Sequence, residues 1–172
     1  NVFQLGLDLE YNPFIIGNQN FIAPYLVGGF SGIYFNPTTT YTLDGITKTV
    51  NLRKLQTEGV QYLNVSSVLN MGIGVRYVSE LGYSIGIELF QNFTQTDYLD
   101  DVSQDSYIEP TLFAQHLSPG RAAIASQIFF RSDELNPPDA FSVNYQRGNP
   151  RNKDSYFTLQ LKLGVMLGRQ RR

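Results

Sequence analysis

The chain contains no cysteine and no tryptophan, and it has one histidine and two methionines in 172 residues. Without cysteine there is no disulfide framework, thiolate metal site, iron–sulfur cluster or cysteine nucleophile. Charge is scarce too, at 16% of residues, and nearly balances to a net −2. That excludes a coiled coil and a polybasic nucleic-acid surface, and no nucleic acid is expected as a partner. No apolar run approaches the roughly 18 residues of a membrane-spanning helix. The chain is instead rich in glycine (15), tyrosine (11) and phenylalanine (12), within a 42% hydrophobic composition. Aromatic residues and glycine without long apolar runs predict a single all-β domain over residues 1–172.

Period-two alternation predicts about five strands, because successive side chains of a strand point to opposite faces. In the last, Phe157, Leu159, Leu161, Leu163, Val165 and Leu167 oppose Thr158, Gln160, Lys162, Gly164, Met166 and Gly168. In the first, Phe3, Leu5, Leu7, Leu9 and Tyr11 oppose Gln4, Gly6, Asp8 and Glu10. Leu69 to Tyr77 and Tyr83 to Leu89 alternate in the same way, with Asn70, Gly72, Gly74, Arg76, Ser84, Gly86 and Glu88 on the polar side. Phe21 to Phe35 is extended, but its two faces are hard to tell apart.

The polar faces are small as well as polar. A water-facing strand gains nothing from repeated glycine, which weakens it, whereas the crowded interior of a narrow barrel needs small residues. Glycine there and an apolar opposite face fit a transmembrane barrel with lipid outside and polar groups within. Asp8, Glu10, Arg76, Glu88 and Lys162 then form an interior charge cluster. The connections agree: a short link (about 12–20), a long loop (about 36–62), a tight turn (Ser79 to Leu81) and a very long loop (about 98–153) alternate as in outer-membrane barrels. Five strands do not close a barrel, so the expectation is eight, with about three N-terminal strands and a signal peptide preceding Asn1.

Asp44-Gly45, between short extended segments, predicts a hairpin turn in the first long loop. The second carries Asp97-Tyr98-Leu99-Asp100-Asp101 and Asp105, a short helix at about Arg121 to Phe130, Asn136-Pro137-Pro138, and Arg147-Gly148-Asn149-Pro150. Pro24-Tyr25-Leu26 with Phe35-Asn36-Pro37, Leu55-Gln56-Thr57-Glu58-Gly59, Thr96 to Ser103, Arg131-Ser132, and Arg147-Gly148-Asn149-Pro150 followed by Lys153-Asp154-Ser155-Tyr156 make the chain resemble the Bacteroidota outer-membrane β-barrel family that includes PorG of the type IX secretion and gliding machinery. The most specific are Asp97 to Ser103 and Arg147 to Pro150. The resemblance implies a non-enzymatic component of the bacterial outer membrane, with membrane lipids and a PorK/PorN-like periplasmic lipoprotein ring as partners and no cofactor. Asp97, Tyr98, Asp100, Asp101, Arg147 and Asn149 carry its loop motifs. One departure is the end of the chain, Arg169 to Arg172, which lacks a terminal aromatic residue.

Other readings stay bland. His116 could serve Ser118 or Ser126 as a base, but no nucleophile elbow or orienting carboxylate is legible. Asp97, Asp100, Asp101 and Asp105 could offer oxygen ligands to Ca²⁺, but their spacing is not that of an EF-hand. Turn capping and pairing with Arg131 or Arg147 account for them, and no metal is expected. Two rival classes remain: a soluble lipocalin-like barrel, with Leu159, Leu161 and Leu163 around an internal cavity, and an outer-membrane barrel enzyme.

Overall fold

The computed structural model describes residues 1–13, 21–43, 45–79, 81–131 and 141–165. The fold is mostly antiparallel β, with strands β1 (Val2–Tyr11), β2 (Phe21–Phe35), β3 (Thr38–Leu43), β4 (Ile46–Asn51), β5 (Val65–Val78), β6 (Tyr83–Thr94) and β7 (Ser155–Val165). Two short helices, α1 (Phe113–His116) and α2 (Pro119–Ile128), lie between β6 and β7. The chain divides into two compact units. One holds Gln4–Gly32, Ser67–Thr94 and Ser155–Arg172; the other holds Asn1–Phe3, Ile33–Ser66 and Gln95–Asp154.

The first unit is built on a curled five-stranded sheet in the order β1-β2-β5-β6-β7. Its register puts Ile73 opposite Leu89 and Leu89 opposite Leu159, so apolar side chains run in rows across one face. That face is exposed: Leu7 is 87% accessible and Leu161 67%. Val27, Asn70, Gly74, Glu88, Phe90 and Asn92 are buried on the other. Burial also settles β2, whose odd residues Ala23, Tyr25, Val27 and Ser31 are buried while Ile22, Leu26 and Phe30 are exposed. The sheet is therefore inverted relative to a soluble sandwich, where the greasy side would be covered.

Close strand contact explains the glycines of the buried face. A Cβ on Gly29 would stand 2.1 Å from the Leu7 carbonyl oxygen, and one on Gly74 would stand 2.4 Å from Tyr25 Cζ. Gly29→Ala must push β1 away from β2 and is expected to destabilise the sheet by about 1–3 kcal/mol. Thermal unfolding of the variant against the wild type reads this, and an unchanged midpoint would show that the strands have room.

Between β5 and β6 the turn runs Ser79–Gly82, closed by Ser79 N–H to the Tyr83 carbonyl at 2.8 Å, with Gly82 at φ +81°. The predicted excursion in the first long loop is present as the β3–β4 hairpin, whose pairing ends at Leu43 opposite Ile46. Gly45 takes the left-handed φ of +74° that a two-residue hairpin turn needs; Asp44 lies outside the described residues. So do Met166 to Arg172, Ser132, Asn136-Pro137-Pro138 and most of the link between β1 and β2.

The second unit has a core of its own. Leu55, Phe113, Ala122, Ala125, Ile128, Phe129 and Phe130 are buried together, with Tyr41, Val50, Leu52 and Tyr107 packed on them. Helix α2 starts with Pro119, whose fixed φ suits a first helical position. It buries Ala122, Ala125 and Ile128, three residues apart on one side. Edge-to-face aromatic pairs fill the rest, including Phe129 with Phe141 at 5.0 Å and Tyr107 with Phe130 at 5.3 Å.

Candidate functional site

On the buried face of the sheet, four of the five predicted interior charges meet. Lys162 Nζ bridges Glu10 Oε1 and, at 3.1 Å, Glu88 Oε1. Arg76 reaches the other oxygen of Glu10 at 3.0 Å. Tyr25 donates its hydroxyl to Glu88 at 2.6 Å, and the Arg76 guanidinium lies 4.9 Å from the centre of the Tyr25 ring. Two cations thus balance two carboxylates, of which Glu88 is buried while Glu10, Arg76 and Lys162 keep part of their surface exposed.

Asp8 does not join them. It accepts from Asn70 Nδ2 at 3.0 Å and belongs to an adjacent network whose other members are neutral. There Gln4 donates to Ser31 Oγ at 2.7 Å and to Asn70 Oδ1 at 3.1 Å. Tyr156 on β7 closes the network by donating to Gln4 Oε1 on β1 at 2.7 Å. On the exposed face, Pro24, Leu26, Ile73, Val75, Ile87 and Leu89 line an open apolar groove of about 710 Å³.

In the second unit, the sequence stretches Leu55–Gly59, Asp97–Ser103 and Arg147–Pro150 converge on a buried clasp. Glu58 accepts from the backbone N–H of Ser103 at 2.9 Å, from that of Gln104 at 3.0 Å and from Arg147 Nε at 2.8 Å. Arg147 also donates to the carbonyl oxygens of Phe129 at 2.7 Å and Asp101 at 3.3 Å, and its guanidinium lies 5.0 Å from the Tyr107 ring centre. Asp101, 1% exposed, accepts from Thr57 Oγ1 and, at 2.5 Å, from the Tyr62 hydroxyl. Burial pushes the Asp101 carboxyl above its ordinary range against these hydrogen bonds, and burial together with the bond to Asp101 pushes Tyr62 up strongly. Tyr62 is stacked between Tyr98, at 4.4 Å, and Phe35, at 6.2 Å.

No known protein family, curated protein or solved structure matches this chain. The clasp and the charge cluster are therefore read from their own geometry.

The pairing expected of Arg147 is corrected. Its carboxylate partner is Glu58, and it touches Asp101 only through the main chain, because the Asp101 carboxylate is turned towards Thr57 and Tyr62. Of the four loop aspartates Asp100 is the one shown capping a turn, accepting from Val102 N–H at 3.0 Å, and Asn149 accepts from Arg151 N–H at 3.2 Å. Tyr98 accepts from Gln104 Nε2 at 2.9 Å. Asp97 is buried, Asp105 is exposed, and among the described residues no three acidic or histidine side chains are placed to hold a metal ion. Arg131 donates to Thr39 Oγ1 and the Thr40 carbonyl. His116 is exposed at the end of α1, and Ser126 Oγ donates to the Ala122 carbonyl within its own helix.

Sequence reasoning missed Thr57, Glu58 and Tyr62 as members of a site. Glu58 carried one usable signal, a carboxylate next to Gly59, which takes a left-handed φ of +71°. An acid beside a glycine-dependent turn is well placed to accept backbone N–H groups.

Proposed function

We propose that the chain is a non-enzymatic outer-membrane β-barrel component of the type IX protein secretion system, anchoring or scaffolding a periplasmic ring. The observation that carries the membrane part is the inverted sheet: Leu5, Leu7, Leu9, Ile73, Ile87, Leu159, Leu161 and Leu163 form an exposed apolar face, while ion pairs and glycines fill the opposite one. In water such a face carries a large hydrophobic cost; in lipid it is the required outer wall. The proposal includes closure to eight strands. The contacts of Tyr156 with Gln4 and of Lys162 with Glu10 support it, since they join inward side chains of the two edge strands, and an eight-stranded barrel is just wide enough for side chains to fill. The secretion role rests on the sequence resemblance described above.

A scaffold fits better than a pore, since the buried face is occupied by paired side chains. The lipocalin-like alternative requires Leu159, Leu161 and Leu163 around an internal cavity, yet all three are exposed. In cells, the protein is expected in the outer-membrane fraction, released by detergent but not by high salt or alkaline carbonate. A crosslinked pulldown from those membranes should recover the periplasmic lipoprotein ring. Recovery in the salt-soluble fraction would overturn the membrane reading, and extraction with detergent but without ring proteins would overturn the secretion role alone.

A further inference from the structure

The clasp of the second unit encloses two carboxylates, Glu58 and Asp101, around one guanidinium, Arg147. Glu58 takes the shorter share of Arg147: its Oε1 lies 2.8 Å from Nε, and its side chain is 2% exposed. Asp101 receives only neutral donors on its carboxylate, the hydroxyls of Thr57 and Tyr62. With both acids ionised, the clasp therefore buries one uncompensated negative charge, and an unpaired buried charge is removed most readily by taking up a proton.

We propose that the loop unit is a proton-linked latch: Asp101 binds a proton as residues 56–62, 97–105 and 147 pack together, so the clasp tightens as the surroundings become mildly acidic. The groups facing Asp101 are Thr57, Glu58 and Tyr62 from the first long connection and Arg147 from its own, while Arg53 donates to the Tyr62 carbonyl at 2.8 Å. On protonation the carboxylic O–H donates to Thr57 Oγ1, reversing that hydrogen bond, while Tyr62 O–H continues to donate to the other oxygen. No atom has to move across the site, and the bond that changes is the one to a rotatable hydroxyl. The raised carboxyl of Asp101 agrees with this sense.

The linkage has a definite sign. An acid that holds its proton more tightly folded than unfolded contributes stability that is complete below its unfolded pKa, about 3.9, and is lost as pH rises through the folded value. The test is thermal and denaturant unfolding of the full chain in detergent from pH 4.5 to 8.5, comparing wild type with Asp101→Asn. Asparagine keeps the shape and hydrogen bonds without the charge. The unfolding equilibrium constant of the wild type is expected to rise relative to that of D101N by up to about tenfold per pH unit across the window. The substitution then stabilises the protein at pH 8 and does not at pH 4.5. Parallel pH profiles for the two proteins would overturn the proposal. Should D101N fail to fold, Tyr62→Phe serves instead: loss of its hydroxyl weakens the ionised form, moving the wild-type window to higher pH, and an unmoved window overturns the proposal equally.

Discussion

Replacing Arg147 with alanine is expected to be the most damaging single change in the loop unit. Its side chain is 11% exposed and its partner Glu58 is 2% exposed, so truncation strands a buried carboxylate and orphans the Phe129 carbonyl at once. Removing one partner of a buried ion pair costs about 3–5 kcal/mol, whereas substitutions at exposed positions stay within about 0.5 kcal/mol. Arg151, exposed two residues beyond Asn149, is the matched control. The variants can be compared by thermal unfolding and by the rate at which protease cuts between residues 97 and 154. Replacing Glu58 and Arg147 together with methionine should cost less than R147A alone, because the buried Glu58 carboxylate is then not left without its counter-ion. If R147A melts with the wild type, the clasp does not hold the connections together.

The second large effect concerns the exposed face of the sheet. Ile87, 57% accessible near the middle of β6, lies opposite Val75 on one neighbour and Leu161 on the other. Ile87→Arg should lower the stability of protein refolded into bilayers by about 2–4 kcal/mol, the cost of an arginine on the lipid side of a barrel. On a water-facing surface the same change is nearly neutral. Urea titration of vesicle-reconstituted protein separates the two outcomes, and a neutral result would remove the main support for a lipid-facing wall.

The strands were legible because alternation is a local signal. β1, β5, β6 and β7 each have one apolar face and one face of small or polar residues, although the alternation legible from Leu69 and up to Leu89 misses the first four residues of β5 and the last five of β6. β2 resisted because it is apolar on both sides: buried Ala23, Tyr25 and Val27 interleave with exposed Ile22, Leu26 and Phe30. The faces are distinguished by contacts with other strands, Tyr25 over Gly74 with its hydroxyl on Glu88 and Ser31 bonded to Gln4 and Asn70. The charge cluster could be anticipated because parity puts Glu10, Arg76, Glu88 and Lys162 on one side. Parity gives Asp8 the same side, but its position along β1 brings it to Asn70 instead. The core of the second unit had no period to read. It draws on Leu55, Phe113, Phe129 and Phe130, separated by irregular chain, and only the short run of α2 carries a helical repeat. Arg147 was visible as part of a motif, but its partner was not, since nothing local joins residue 147 to residue 58.

The hydrogen bond from Tyr156 to Gln4 joins residues 152 apart, and the one from Lys162 to Glu88 joins residues 74 apart. Until the final strand arrives, Glu88 and Glu10 have no ammonium between them and Gln4 lacks its phenolic donor. Completion of the five-stranded sheet thus waits on β7, the last of its strands in chain order. Such dependence on distant pairing slows folding and prolongs the lifetime of sticky, half-assembled chains.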